Sequence, residues 1–211
     1  MTPLLMAAFL APMTLFSSPE PMGPPVPTPL PAWSSFDIAP ALAVGAPFMA
    51  AFGGGGSSQI YLGQLQGTQV VPPTGSMASG TVIASLNANQ TALRYFIRIN
   101  GLILPQGPPA NPDDITAVHF HTASAGSNGP HVLNVFGVPS QDDRQLQVLF
   151  GLNAITGRWD DGDAVVFPPG PPHTKLLTDF IGALNNSDIY VQMHSLAFSS
   201  GEIRAQLIPF P

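Results

Sequence analysis

Ile115 to Phe136 reads ITAVHFHTASAGSNGPHVLNVF, two apolar runs on either side of a turn, and three of the chain's five histidines fall inside it. In an extended strand successive side chains point to opposite faces, so His119 and His121 share one face with Ala117, while Val118 and Phe120 share the other. The two imidazoles are therefore neighbours on one surface. Ser124 to Pro130 carries Gly126, Asn128, Gly129 and Pro130, residues that reverse a chain. The run Val132 to Phe136 is expected to return beside the first strand and bring His131 toward the pair.

Outward from this stretch the texture is of short alternating runs separated by turn residues, which predicts an antiparallel β-sandwich. Leu93, Tyr95, Ile97 and Ile99 alternate with Arg94, Phe96, Arg98 and Asn100. Before them, Gly80 to Leu86 supplies Val82, Ala84 and Leu86 to one side, and Asn87 to Gln90 has the chemistry of a hairpin turn. Gln59 to Leu65 reads as a first strand. Val70 to Ser79 reads as a loop, because Pro72 and Pro73 cannot donate to a ladder, and Gly101 to Asp114 as a second. Gln145 to Leu152 and Ala154 to Trp159 are expected strands, with Gly157 marking a bulge or a close backbone approach. Asp188 to His194 and Gly201 to Ile208 complete the set. Thr174 to Leu184 spaces Leu176, Leu177, Phe180, Ile181 and Leu184 as one short helix does, behind Thr174 as its cap. Asp160, Asp161 and Asp163 read as a solvated turn, since they lack the twelve-residue loop and closing glutamate of a calcium site.

Composition bounds the function. Charged residues make up 9% of the chain, against roughly a quarter in average proteins. The formal net charge of -6 and scattered basic residues argue against nucleic acid as a partner. Without cysteine there is neither a disulfide nor a thiolate site, so any metal must be held by nitrogen and oxygen. Met1 to Phe52 has no Lys or Arg and is rich in proline. Its start, MTPLLMAAFLAPMTLF, reads as a secretory signal; the alternative is an apolar arm that stays on the protein and packs against a neighbouring subunit. No uninterrupted run of about 20 apolar residues exists to span a membrane. The division expected is residues 1–58, signal or arm and Gly/Ser linker, followed by one β domain, 59–211.

Five blocks, Gly67 to Pro73 (GTQVVPP), Ala117 to Thr122 (AVHFHT), Gly126 to Pro130 (GSNGP), Asp188 to Ser195 (DIYVQMHS) and Gly201 to Leu207 (GEIRAQL), resemble in order and spacing the signatures of the CHRD domain. This is the module named from chordin and also found in microbial proteins. The resemblance covers about Gln59 to Ile208. It implies an all-β, immunoglobulin-like Greek-key sandwich of secreted or cell-surface proteins, acting as a binding or structural module with no established enzymatic activity. In chordin the module belongs to a protein that binds growth factors. Carried over, the family's His-x-His falls on His119 and His121, its second histidine block on His194, and its Gly-Glu-Ile-Arg block on Gly201, Glu202, Ile203 and Arg204. His131 departs from the pattern, which has an aliphatic residue after Gly-Pro.

His-Phe-His, a glycine-rich loop, Gly-Pro-His and a later Val-x-x-His also resemble, locally, the copper ligands of copper, zinc superoxide dismutase. Imidazoles two apart on one strand converge on copper or zinc, so His119, His121, His194 and His131 are the candidate metal ligands. Their ion would be lost as pH falls through the imidazole range near about 6.5. That family's disulfide is impossible here, and no zinc-site run follows His131. By side-chain parity, Tyr190 and Gln192 share the face of His194, while Glu202, Arg204 and Gln206 share another; with Asn128 of the turn, Tyr190, Glu202 and Arg204 are the candidate binding residues. Two readings stay open: a metal site, or histidines that only support the turn through hydrogen bonds. No nucleophile elbow or phosphate loop is present; the CHRD resemblance implies an exported, non-enzymatic module, expected to meet protein partners or itself through the amino-terminal arm.

Overall fold

The computed structural model describes residues 57–138, 141–163 and 176–210. Its strands are β1 (Ser57–Gln66), β2 (Ser79–Asn87), β3 (Ala92–Asn100), β4 (Ile115–Thr122), β5 (His131–Gly137), β6 (Gln147–Leu149), β7 (Ala154–Asp160), β8 (Ile189–Ser195), β9 (Ile203–Gln206) and β10 (Ile208–Phe210). They join antiparallel in the order β5-β4-β8-β9-β1-β2-β3-β7-β6, with β10 also on β1. Four strands separate β3 from β4 along this path. Yet the rings of Tyr95 on β3 and Phe120 on β4 lie 5.3 Å apart, and Trp159 on β7 meets Phe120 at 5.8 Å. The sheet therefore curls until its two halves close on a common core, the all-β sandwich expected from the alternation.

That core is built by period-two side chains. Val82, Ala84 and Leu86, Leu93, Tyr95, Ile97 and Ile99, Val118 and Phe120, and Val191 and Met193 all point into it. Burying a large aliphatic or aromatic side chain stabilises by roughly 1.5–3 kcal/mol, so the opposite faces are left to carry polar groups. On β4 that opposite face presents His119 and His121.

Several expected elements differ in extent. The helix expected over 174–184 is a 3-10 turn, Leu177–Phe180, running into α1, Ile181–Asn185. It is held by Leu177 and Leu184, both in the core; so short a segment owes its helicity to packing rather than to its own propensity. The strand expected over 145–152 narrows to β6 and ends in a 3-10 turn at Phe150–Leu152, with Asn153 at φ 48 closing the hairpin. The strand expected over 201–208 is split at Leu207, whose N–H turns to the carbonyl of Ile189, giving β9 and β10. The Asp160–Asp163 turn is not simply solvated. Asp163 is buried, and its carboxylate accepts the Asp160 N–H at 2.9 Å. Ser57 and Ser58, read as linker, already belong to β1. The arm, Met1 to Phe52, and the residues Thr174 and His173 lie outside the described residues. Among the described residues no helix is long and apolar enough to cross a membrane.

Candidate metal centre

β4 sits between β5 and β8. On the β8 side the register sets His119 opposite Gln192, His121 opposite Tyr190, and Ala117 opposite His194. On the β5 side, register shifts fall just before each histidine, so that His119 faces Asn134 and His121 faces His131. β9 follows β8, with Arg204 opposite Gln192 and Gln206 opposite Tyr190. The polar faces of β4, β5, β8 and β9 thus merge into one patch.

Four rings crowd its centre. His131 stacks on His119 at 4.0 Å and meets His121 edge-on at 4.4 Å. His194 lies 5.0 Å from His119. His119 and His121 are 3% and 5% exposed, and His194 is half-buried. Each of these last three is held by one main-chain carbonyl: His119 Nε2 by Val138 O at 2.8 Å, His121 Nδ1 by Gly129 O at 2.9 Å, and His194 Nδ1 by Ser199 O at 2.9 Å. A carbonyl only accepts, so each of those nitrogens carries the proton, and in a neutral imidazole the other nitrogen keeps a lone pair. Those other nitrogens, His119 Nδ1, His121 Nε2 and His194 Nε2, are buried and make no hydrogen bond. Burial, reinforced by the neighbouring imidazoles, lowers the pKa of His119 and of His121 to about 3, and burial lowers that of His194. All three are therefore neutral at pH 7.

One ligand nitrogen from each of His119, His121 and His194 lies within 4.8 Å of the others. An ion bound at about 2.0–2.1 Å spans nitrogens up to roughly 4 Å apart, so these three are the residues that could hold copper or zinc if the rings drew slightly closer. His131 packs against this group without belonging to it.

The surrounding residues fix the rings. Tyr190 stacks flat on His121 at 4.7 Å, and the Arg204 guanidinium covers the tyrosine at 3.5 Å. Arg204, 1% exposed, donates to the carbonyls of Ser127 and Ser124 and to Gln206 Oε1, which ties the glycine-rich turn to β9. Asn128 donates to Val71 O at 2.8 Å and joins that turn to the Val70–Ala78 loop. Glu202 does not pair with Arg204. Its carboxylate accepts the hydroxyls of Ser76, at 2.6 Å, and of Ser195. Two amides were not singled out from sequence. Gln192, beside His119, keeps a buried Oε1 without a partner, and Gly201, at φ +121, leaves no room for a side chain over it. Asn134 is fully buried with both amide atoms unpartnered. An amide inside the apolar run Val132 to Phe136 was the available signal. Buried polar atoms without partners cost about 1–3 kcal/mol each, and Gln192 and Asn134 stand on the two strands that flank His119.

An all-β sheet closed on itself, with its polar strand face carrying a histidine cluster, defines a β-sandwich module. The CHRD domain family model matches residues 62–207, and the chain belongs to that family. No curated protein and no solved structure matches it significantly. The local likeness to copper, zinc superoxide dismutase has no support from these comparisons.

Proposed function

We propose that the protein is an exported CHRD module that holds a copper or zinc ion at His119, His121 and His194 and serves as a binding or structural component rather than an enzyme. The observation that supports this most is the set of three buried imidazole nitrogens, each without a hydrogen bond, on rings whose opposite nitrogens are held by main-chain carbonyls. A carbonyl on the far nitrogen is how proteins fix the tautomer and orientation of a ligating histidine. Neutral imidazoles suit both ions, and the affinity order of divalent metals favours copper. Export is supported by the apolar opening of the sequence, Met1 to Phe16, and by the general occurrence of CHRD domains in extracellular proteins. If that opening is not removed on export, the apolar, proline-rich arm that it starts would instead serve contacts with protein partners or between copies.

The test is metal content after loading with copper or zinc and desalting. One ion per chain in the native protein, and none in the His119→Ala/His121→Ala protein with an unchanged β-type circular dichroism spectrum, would support the proposal. Equal content in both would refute it. Superoxide consumption by the copper-loaded protein separates the module from a dismutase, and none is expected.

A further inference from the structure

Gln192 stands on the polar face of β8 between Tyr190 and His194, directly opposite His119 of β4. Residues opposed in an antiparallel pair have Cβ atoms about 4.5–5.5 Å apart, so this side chain leaves the sheet beside the candidate ligands. Its amide is fixed at one end. Gln192 Nε2 donates to Ser200 O at 2.9 Å, and His194 Nδ1 donates to the adjacent carbonyl, Ser199 O, at 2.9 Å. Two consecutive carbonyls of the loop after β8 therefore orient both side chains. A Cβ on Gly201 would overlap the Gln192 amide, so the glycine is what lets the amide rest against the chain there.

Because a carbonyl only accepts, the atom facing Ser200 O is the NH2 group and the other is the oxygen. That oxygen, Oε1, is buried and makes no hydrogen bond. The cation opposite Gln192 on β9 does not supply the missing donor. The Arg204 guanidinium donates to Ser127 O, Ser124 O and Gln206 Oε1 and lies over the Tyr190 ring. Gln192 Oε1 thus repeats the pattern of His119 Nδ1, His121 Nε2 and His194 Nε2: one end of the side chain is tied to a main-chain carbonyl, and the lone pair at the other is buried and unused. A buried acceptor without a donor calls for a bound water or ion. One water brings two protons to these four acceptors, whereas one cation serves them all. Asn134, facing His119 from β5, differs, since its Nδ2 and Oδ1 are both open. A donor and an acceptor together suit a water.

We propose that Gln192 Oε1 is the fourth donor to the ion held by His119, His121 and His194, completing a set of three nitrogens and one oxygen. This assignment rests on the metal reading above and deepens it. Four-coordinate sites suit zinc, and a glutamine oxygen serves copper as a weak axial ligand. Four protein donors make a closed site of the structural kind, whereas catalytic zinc sites keep one position for water or substrate.

The experiment measures zinc affinity by chelator competition for the native protein, Gln192→Leu and Gln192→Glu, with circular dichroism checking each fold. Glutamate keeps an oxygen donor but loses the N–H that Ser200 O accepts; leucine loses both. Gln192→Leu should weaken binding about tenfold or more, and Gln192→Glu should bind as tightly as the native protein or more so. In the native protein, NMR during zinc loading should displace the Gln192 Cδ resonance further than that of Asn134 Cγ, which flanks His119 from the other strand. Equal weakening of both variants would reduce Gln192 to a support for the loop and overturn the proposal. A Gln192 Cδ displacement no larger than that of Asn134 Cγ would also overturn it, and either result would leave the three-histidine site standing. No zinc uptake by the native protein would overturn both readings together.

Discussion

The rings of Tyr190 and His121 lie parallel within 11° and 4.7 Å apart, so the orientation of one candidate ligand is set by a side chain on the neighbouring strand. The Tyr190 hydroxyl also accepts the Gly129 N–H at 3.1 Å, while the Gly129 carbonyl accepts from His121. One peptide of the turn is thereby clamped to both rings. Tyr190→Phe should cost about 1 kcal/mol, the net worth of one hydrogen bond. Tyr190→Ala should cost about 3–5 kcal/mol, as truncation of a buried aromatic does, and should also weaken metal retention. Urea unfolding of the two variants measures both costs; equal costs would remove the stack from the account.

Gly157 faces the core from β7, where an added Cβ would collide with the Asp143 carboxylate and the Tyr95 hydroxyl. Those two groups are hydrogen-bonded to each other, and Asp143 also accepts the N–H groups of Gln145 and Arg158. The missing side chain is what admits a buried carboxylate beneath the sheet. Gly157→Ala combines overpacking, about 1–3 kcal/mol, with disruption of these bonds. A loss of about 3 kcal/mol or more is expected in denaturant unfolding, and a loss under 1 kcal/mol would show that the sheet relaxes around the methyl group.

Two opposing pH effects are built into the metal-free fold. His119 and His121 are lowered to about 3 in the fold from an ordinary value of 6.5. The unfolded chain takes up their protons first, so their contribution to stability is complete above pH 6.5 and is lost as pH falls from 6.5 to about 3. Asp163 is raised to about 6 from 3.8, chiefly by burial. Its contribution is complete below pH 3.8 and is lost as pH rises through about 6. Replacing Asp163 by Asn should therefore leave the melting temperature falling more steeply between pH 7 and pH 5. A profile unchanged by the substitution would contradict the raised pKa.

Most of the sheet was legible because one strand's alternation states which of its faces is buried. Leu93 to Ile99 illustrates this, and so does Val118 with Phe120 against His119 with His121. Placement between strands was not. The turn did announce that His131 returns to the pair, but the register shifts between β4 and β5 that set its ring against both histidines leave no mark that a single strand reveals. The burial of Asp163 depends on what the sheet folds over, not on its local turn sequence. The convergence of β4, β8 and β9 followed from parity only once those strands were adjacent. The expected release of metal near pH 6.5 took the imidazole value of a solvated histidine, and burial moves His119 and His121 far below it.

His131 and His194 distinguish a three-histidine site from a four-histidine one. The candidate ligand group comprises His119, His121 and His194, and His131 contributes a ring stacked at 4.0 Å on His119. Removing a ligand takes away a metal bond, whereas removing a packing ring loosens only the orientation of its neighbour; loss of such outer support typically costs about 10–100-fold in affinity. His194→Ala should therefore weaken copper or zinc binding by more than 100-fold, and His131→Ala by less, in competition titrations against a chelator of known affinity. Because the ligand rings resist protonation, the native site should hold its ion well below pH 6.5, down to the pH at which the fold itself gives way. Equal losses in the two variants would make His131 a ligand, and release at pH 6.5 from a folded protein would place the ion on solvated imidazoles elsewhere.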